Sequence, residues 1–180
     1  MSHVEEILKF NKKFIKEGKL KARPVVPIVP RKKMAIITCM DGRLSELLQQ
    51  ALNLKDGDAK IIRNAGATVT HPFGSVMRSL MIAVYQLGVE DILVIGHKDC
   101  GVQNMKASKI TRKIEGKKLD FIGCCGVDVS KWLEGFDNLD DSVRSTVNII
   151  KTHPLMPSNI RVHGFIIDPA DGKLEKVSKT

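Results

Sequence analysis

Two short apolar runs, both rich in β-branched residues, constrain the fold of this chain more than any other feature. Residues 34–39 form the first run and residues 91–96 the second. Apolar runs of this length, bounded by polar residues and glycine, are typical of buried strands. Each run stops abruptly at metal-binding or charged side chains, which are Cys39, Asp41 and Arg43 after the first and His97 and Cys100 after the second. Alternate side chains of an extended segment share a face, so the first group could point into one site.

Strand and helix patterns alternate along the rest of the chain. Further strands are predicted at residues 60–63 and 161–167, and helices at residues 44–54, 72–87, 101–113, 128–135 and 139–152. The last helix is expected to open on a cap at Asp140 or Asp141. This alternation predicts an α/β domain with a mainly parallel central β-sheet flanked by helices. Open α/β sheets place their sites at the carboxyl ends of the strands, so both polar groups are expected at one edge.

The first 33 residues are expected to form an N-terminal helical arm within a single domain of residues 1–180. Residues 3–17 carry an apolar stripe among lysines, which predicts an amphipathic helix. Residues 23–30 contain three prolines, which exclude a helix or a central strand. Such an arm could clasp a second subunit or pack on its own domain, and the sequence favours neither. The apolar helix at 72–87 is expected to be buried and is a second candidate subunit contact.

Composition and charge argue against several classes of protein. No apolar run approaches the roughly 20 residues of a membrane span, and the N-terminus lacks the features of a secretory signal. Four cysteines without a small-scaffold spacing favour a reducing compartment, so a cytoplasmic location is expected. Residues 1–33, with ten Lys or Arg and three Glu, carry most of the net charge of +9. With one Trp and one Tyr in the chain, nucleic-acid binding is disfavoured and a solvated lysine-rich helix is favoured.

A three-ligand zinc set could be formed by the side chains of Cys39, His97 and Cys100. Three protein ligands leave the fourth position open, which distinguishes a catalytic zinc from a structural one. His97 and Cys100 could form a local pair, but Cys39 lies far upstream and no compact zinc motif has that spacing. From the residues alone, a catalytic metal site and a set of side chains that merely pack are equally supported.

Three blocks of the sequence resemble the signature blocks of β-class carbonic anhydrases, in the same order and at similar separations. They are Cys39-Met-Asp41-Gly-Arg43, Arg63-Asn-Ala-Gly66 and His97-Lys-Asp-Cys100-Gly101. Residues 79–88 and 162–174 also resemble the family, and the short N-terminal region resembles its prokaryotic branch. The family often has serine where Gly42 stands, but that departure leaves all five key side chains intact.

The resemblance implies a function and a set of roles. Zn²⁺ would be bound by Cys39, His97 and Cys100. Asp41 would either pair with Arg43 and orient a zinc-bound hydroxide, or leave Arg43 and become the fourth ligand. The implied reaction is the reversible hydration of CO₂ to bicarbonate, in a homodimer or homotetramer. Because two thiolates offset the charge of the metal, activity is expected to rise towards alkaline pH.

Two rival functions stay open beside this one. The same zinc site could hydrolyse CS₂ or COS, which are close to CO₂ in size and shape. Alternatively, the chain could be a catalytically silent zinc protein or a basic binding protein, although the complete ligand set argues against silence.

Gly101 is a further expected substrate-binding residue, and Asp99 is expected to support the site through a hydrogen bond to backbone or ligand.

The remaining histidines and cysteines receive structural interpretations. His71 is a possible pocket or proton-relay residue, but a turn histidine is favoured. His163 is expected to be a hydrogen-bonded core residue of the last strand. Adjacent cysteines without another ligand nearby are usually structural or merely reactive, which applies to Cys124 and Cys125. The expected surface or helix-end histidines are His3 and His153.

Overall fold

The computed structural model describes residues 2–18, 25–114 and 128–178. Within them one five-stranded sheet has the order β2-β1-β3-β4-β5. Its strands are β1 (Met34–Cys39), β2 (Ala59–Asn64), β3 (Asp91–His97), β4 (Arg161–Ile167) and β5 (Leu174–Lys176). The first four strands pair in parallel, and β5 pairs antiparallel to β4. The predicted mainly parallel sheet is confirmed.

Helices lie between the strands, as the alternating pattern predicts. The described residues contain α1 (His3–Lys16), α2 (Leu44–Ala51), α3 (Ser75–Tyr85), α4 (Ala107–Ile114), α5 (Val129–Leu133) and α6 (Leu139–Lys151). The cap of α6 is Asn138, whose side-chain oxygen accepts a hydrogen bond from the Asp141 N–H at 3.0 Å. The predicted cap at Asp140 or Asp141 is therefore wrong. These carboxylates lie in the first turn, where they oppose the positive end of the helix dipole.

The central strand β1 contributes to two separate hydrophobic clusters because successive side chains of a strand point to opposite faces. Ile36 packs in a cluster with Leu44 and Leu48 of α2. Ile37 belongs to a second cluster, in which α3 and α6 bury seven side chains: Met77, Leu80, Ala83, Val84, Val143, Val147 and Ile150. Burial on both faces explains why β1 appears in the sequence as a continuous apolar run rather than an alternating one.

The carboxyl ends of β1, β2 and β3 lie at one edge of the sheet. Cys39 is opposite Asn64 of β2, and Thr38 is opposite Ile95 of β3. The Thr38 hydroxyl donates a hydrogen bond to the Ile95 carbonyl oxygen at 3.1 Å, which links the two central strands just before they end. This register brings together the polar groups that follow the two apolar runs.

The segment after Cys100 corrects the prediction of a helix over 101–113, because α4 begins only at Ala107. Residues 101–106 instead form turns that pair with a distant part of the chain. The Asn104 N–H donates to the Phe136 carbonyl at 2.8 Å, and the Gly135 N–H donates to the Met105 carbonyl at 2.9 Å. A Cβ at position 135 would lie 2.1 Å from the Val102 carbonyl oxygen, so only glycine permits this approach.

β5 is not predicted from the sequence, and a turn leads into it. The Gly172 N–H donates to the Asp168 carbonyl at 2.8 Å, and the Asp168 N–H donates to the Lys173 carbonyl at 2.9 Å. These bonds close a turn at 169–172 and return the chain alongside β4. A strand of three residues is too short to show an alternating pattern.

The N-terminal helix and arm expose apolar side chains. Helix α1 opens with a capping box between Ser2 and Glu5, and none of its residues is buried. Ile7 is 67% exposed in α1, and Val25 is 92% exposed in the described part of the arm. No helix of the described residues is long and apolar enough to cross a membrane.

Candidate metal centre

The structure brings Cys39, His97 and Cys100 together at the carboxyl edge of the sheet. Cys39 ends β1, His97 ends the neighbouring β3, and Cys100 lies in the loop that follows. All three are buried, and one ligand atom from each lies within 4.8 Å of the others. The two Sγ atoms are 3.9 Å apart. Strand pairing thus supplies the proximity that the long spacing in sequence left open.

The imidazole of His97 has one nitrogen bound and one without a partner. Its Nδ1 lies 2.8 Å from the Lys98 carbonyl oxygen, which can only accept, so Nδ1 carries the ring hydrogen and donates. Nε2 therefore keeps a lone pair, and it has no hydrogen-bond partner among the described residues although it is fully buried. Because buried polar atoms are nearly always paired, this nitrogen fits the role of a metal ligand.

The thiols fit a bound cation for two reasons. Burial raises the pKa of the Cys100 thiol, and the nearby Cys39 raises it further. A positive charge between the sulfurs would offset both effects and hold them as thiolates at neutral pH. Two sulfurs bound tetrahedrally to one zinc at about 2.3 Å would lie about 3.8 Å apart, close to the separation found here. The donor set and its spacing therefore fit zinc.

Asp41 and Arg43 form a bidentate ion pair beside the ligand set. Arg43 Nε lies 3.0 Å from Asp41 Oδ1, and Arg43 Nη2 lies 2.8 Å from Asp41 Oδ2. The Arg43 backbone N–H also donates to Oδ1, at 2.9 Å. Chiefly because of the side-chain hydrogen bonds from Arg43, the pKa of the Asp41 carboxyl is lowered to about 2. Asp41 Oδ2 lies 3.9 Å from the unpartnered Nε2 of His97, so an ionised carboxylate faces the ligand set.

Arg43 also joins the ends of the two strands. Its Nη2 donates to the Asp99 carbonyl oxygen at 2.9 Å, across the gap between the loops that follow β1 and β3. Asp99 has a φ of 53°, a left-handed conformation that is uncommon outside glycine. Asp99 was expected to support the site through a hydrogen bond to backbone or ligand, and the bond present is accepted by its backbone carbonyl.

A cavity of about 900 Å³ opens beside Cys39 and Asp41. Gly101, the expected substrate-binding residue, lies in its wall. Apolar side chains from several segments form much of the rest: Val69, Val76, Val102, Met105, Ile110, Trp132 and Leu133. Sequence reasoning missed these residues because no motif marks them. The pairing of residues 103–105 with 135–136 brings the segment of Val102 and Met105 alongside that of Trp132 and Leu133.

The other histidines differ in how well their predictions hold. His71 accepts a hydrogen bond from the Phe73 N–H, as a turn histidine would, and it also lines the cavity. His163 is only partly buried, with Nε2 3.7 Å from Asp91 Oδ1, so its prediction as a core residue is wrong. His153 follows the end of α6 but is buried rather than on the surface. The exposed His3 begins α1, and Cys124 and Cys125 lie outside the described residues.

Comparison with known proteins decides the family. The carbonic anhydrase family model matches residues 34–174. This chain belongs to the β-carbonic anhydrase family. The crystal structure of a β-carbonic anhydrase from Trichomonas vaginalis superimposes with a TM-score of 0.87 at 30% identity, covering 98% of both chains. The family resemblance and the fold predicted from the sequence are both confirmed.

Two further relatives bear on activity within the β-carbonic anhydrase family. YvdA of Bacillus subtilis, a protein provisionally named as a carbonic anhydrase, is 45% identical over 182 residues, covering 98% of this chain and 92% of that protein. A carbon disulfide hydrolase of Acidianus is 28% identical over 171 residues, covering 86% of this chain and 81% of that protein. Membership of the family thus leaves the choice of substrate open.

Proposed function

We propose that this protein is a zinc-dependent carbonic anhydrase that interconverts CO₂ and bicarbonate. The observation that carries the proposal is the buried set of Cys39, His97 and Cys100, in which an unpartnered imidazole nitrogen faces two closely spaced sulfurs. The carboxylate of Asp41 lies beside this set, at a cavity large enough for a small substrate.

Each metal ligand would be prepared by its surroundings. Cys39, His97 and Cys100 would hold Zn²⁺, which when bound with one open position supplies hydroxide near neutral pH. The Lys98 carbonyl fixes the tautomer of His97 and directs Nε2 to the cluster, as supporting groups do in metal sites. One ligand atom of each residue already lies within 4.8 Å of the others, so the ligands would need little rearrangement when the ion binds.

Asp41 would orient the attacking water or hydroxide. An ionised carboxylate only accepts hydrogen bonds, so Asp41 Oδ2 can accept one from an O–H group and aim its oxygen lone pair elsewhere. Arg43 keeps the carboxylate ionised and stationary. The alternative role as fourth metal ligand would require the carboxylate to leave the Arg43 guanidinium, so the ion pair supports the orienting role.

The cavity suits a small apolar substrate. CO₂ carries no net charge, and apolar side chains such as Val69, Val102 and Met105 would accept it without the desolvation cost of a charged molecule. Gly101 would let substrate approach the wall closely, since no atom lies within 4 Å of the position a Cβ would take there. We propose Gly101 as a substrate contact on this ground.

Hydrolysis of CS₂ or COS is the second candidate function. The similarity to a carbon disulfide hydrolase favours it, and the same apolar wall would accept sulfur as readily as oxygen. The measurement that separates the two is the ratio of kcat/KM for CO₂ to that for CS₂ on one preparation. We expect a ratio above one, and a ratio well below one would assign the hydrolase activity instead.

We further propose that two or more copies associate through the N-terminal arm in a cytoplasmic protein. The apolar stripe of α1 has no buried residue, so a second copy of the chain is the partner that would cover it. The free thiols of Cys39 and Cys100 are consistent with a reducing compartment. Light scattering should give a dimer or tetramer for the wild type and a smaller species for Ile7→Glu, with Lys12→Glu as the matched control. A wild-type monomer would refute the assembly.

Metal analysis combined with stopped-flow hydration of CO₂ tests the main proposal. We expect close to one zinc per chain in the wild type, with hydration that rises from pH 6.5 to 9, and loss of both zinc and activity in Cys100→Ala. Cys125→Ala, a cysteine predicted to take no part in the metal site, is the matched control. Full zinc content without hydration at any of these pH values would refute the proposed activity.

A further inference from the structure

The loop of residues 70–74, between β2 and α3, places a histidine in the wall of the cavity. His71 lines the same cavity as Cys39 and Asp41, and Thr70 and Gly74 on either side of it also line the wall. The ligand set does not use this imidazole, and the Asp41–Arg43 pair does not contact it through any bond of the described residues. Its chemistry toward the cavity is therefore a separate question.

The hydrogen bonding of His71 fixes which nitrogen can face a ligand as a donor. The Phe73 backbone N–H donates to Nδ1 at 3.0 Å, so Nδ1 uses its lone pair and carries no hydrogen. The neutral ring consequently carries its hydrogen on Nε2. No described residue accepts a hydrogen bond from Nε2. His71 is exposed in the wall of the cavity, so its Nε2–H is free to donate to a ligand.

A second histidine holds this loop in place. The buried His153 donates from Nε2 to the Pro72 carbonyl oxygen at 2.9 Å, and its Nδ1 accepts from the Leu155 N–H at 3.2 Å. The Phe73 ring also packs edge-on against His153, with the ring centroids 5.1 Å apart. The loop is therefore anchored at Pro72 and Phe73, and the Phe73 N–H holds the His71 ring before any ligand arrives.

We propose that His71 binds bicarbonate in the cavity by donating its Nε2 hydrogen to one of the anion's oxygens; this inference rests on the proposed function. Bicarbonate is the charged partner in the reaction, and the apolar side chains that form much of the wall would not retain it without a donor. The carboxylate of Asp41 repels the anion. The carboxylate of Glu134 also lies in the wall, but it accepts from the Ala107 N–H and its charge is partly offset by Lys106 Nζ at 3.3 Å. The free donor of His71 compensates for the repulsion by Asp41.

The same geometry argues against a role for His71 as a proton relay. A relay must accept a proton at a lone pair, and the lone pair of this ring is at Nδ1, which already accepts from the Phe73 N–H. Protonation there would break that bond. Substitution of His71 should therefore affect the binding of bicarbonate, whereas loss of a relay would reduce turnover in a way that depends on buffer concentration.

Steady-state kinetics in the dehydration direction test the proposal. For His71→Ala, we expect the KM for bicarbonate to rise about 3- to 10-fold, the loss expected for one hydrogen bond, with kcat within about 2-fold of the wild type. His71→Gln keeps a side-chain N–H donor and should restore most of the affinity. His3→Ala is the matched control, because the His3 side chain is fully exposed at the first residue of α1 and lies outside the apolar stripe proposed as the contact between copies.

Two kinetic results would overturn the inference. One is an unchanged KM for bicarbonate in His71→Ala. The other is a fall in kcat that added imidazole buffer restores, which would assign the ring to proton transfer. Both measurements require only that the variant folds. Because His71 is exposed, we expect its substitution to change the free energy of unfolding little.

Nuclear magnetic resonance of ¹⁵N-histidine-labelled protein provides a readout that does not depend on turnover. We expect the His71 ring of the zinc-loaded wild type to show the Nε2–H tautomer, and its Nε2 signal to shift on titration with bicarbonate while that of His163 stays unchanged. No shift, or the opposite tautomer, would refute the inference. If the wild type fails to interconvert CO₂ and bicarbonate, the proposed function fails, and this titration still decides whether His71 binds the anion.

Discussion

An aspartate, an arginine and a histidine meet near each end of β3, yet only the group at the carboxyl end has the features of a reactive site. At the carboxyl end, Asp41 accepts two side-chain hydrogen bonds from Arg43, at 2.8 and 3.0 Å. The Nε2 atom of His97 lies 3.9 Å from the same carboxylate. An aspartate, an arginine and a histidine thus meet at this edge of the sheet.

The amino end of β3 repeats the arrangement. Asp91 accepts hydrogen bonds from Arg161 at 2.6 and 2.7 Å, and the Nε2 atom of His163 lies 3.7 Å from the carboxylate. In both places the arginine lowers the pKa of the aspartate, in each case chiefly through its side-chain hydrogen bonds. By distance and electrostatics alone, the two ends would be hard to tell apart.

Burial and the presence of thiols distinguish the two ends. The side chain of His163 is 35% exposed, so water can satisfy its nitrogens. That of His97 has no exposed surface, its Nε2 has no partner among the described residues, and two sulfurs lie close by. A buried imidazole lone pair needs a ligand, whereas an exposed one does not. The comparison teaches that an Asp–Arg–His group indicates a site only where solvent cannot complete it.

Substitution of the two histidines should give the largest contrast between the ends. His97→Gln removes one of the three proposed metal ligands, and we expect zinc content and CO₂ hydration to fall by more than about 100-fold, beyond the loss caused by removing a supporting partner. His163→Gln is the matched control, since it lies on the adjacent strand, and it should retain zinc and activity within about 2-fold. Metal analysis and stopped-flow hydration measure both.

Equal losses in the two histidine variants would break the comparison. That outcome would mean that the hydration reaction depends on the amino end of β3, or that both substitutions act through global stability. Thermal unfolding of the two variants separates these explanations, because only the second one lowers both Tm values.

The arginines should give the next largest contrast. Arg43→Gln releases Asp41 from its bidentate partner and also removes the bond to the Asp99 carbonyl. We expect hydration to fall about 10- to 100-fold with zinc retained, as for the loss of other groups that orient a metal site. In Arg161→Gln the released carboxylate faces water and no ligand set, so activity should stay within about 2-fold. Loss of zinc from Arg43→Gln would instead assign Arg43 to metal retention.

Much of this contrast could be predicted from the sequence. The two apolar runs predicted β1 and β3 as buried strands, and parallel pairing then required Cys39 and His97 to share an edge. The partners of the amino end were less visible, because Arg161 and His163 lie in β4, far along the chain from Asp91. Only the register of β3 and β4 brings them together, and His163 was wrongly predicted as a core residue.

The walls of the cavity show what local sequence patterns cannot supply. Residues 101–113 are predicted as one helix, but hydrogen bonds between Asn104 and Phe136 and between Met105 and Gly135 prevent a helix over residues 101–106. Asn104 itself has a φ of 57°, which a helix does not allow. Tertiary pairing, rather than the local sequence, therefore decides the conformation of residues 101–106. The same conformation places Gly101 in the wall of the cavity.

The next prediction concerns the protonation of Asp41, and its expected effect is smaller than those of the substitutions above. The folded-state pKa of Asp41 is about 2, below its usual value, so the carboxylate stays ionised at every pH where the enzyme works and is protonated only as pH falls towards 2. The expected rise of hydration between pH 6.5 and 9 cannot come from Asp41. Nuclear magnetic resonance of the ¹³C carboxyl groups should show no titration of Asp41 or Asp91 above pH 5. A midpoint for Asp41 near neutral pH would contradict the orienting role.

The smallest effect concerns stability at the amino end. Because Arg161 lowers the pKa of Asp91, the ion pair stabilises the fold fully above the usual aspartate pKa of about 3.9 and loses that contribution as pH falls through the lower folded value. Asp91→Asn should therefore lower Tm by about 2 °C at pH 7 and leave hydration unchanged, and its Tm difference from the wild type should disappear as pH falls below the lowered pKa of Asp91. A Tm gap that persisted in acid would mean that Asp91 acts through packing rather than charge, and the likeness between the two ends of β3 would then be geometric only.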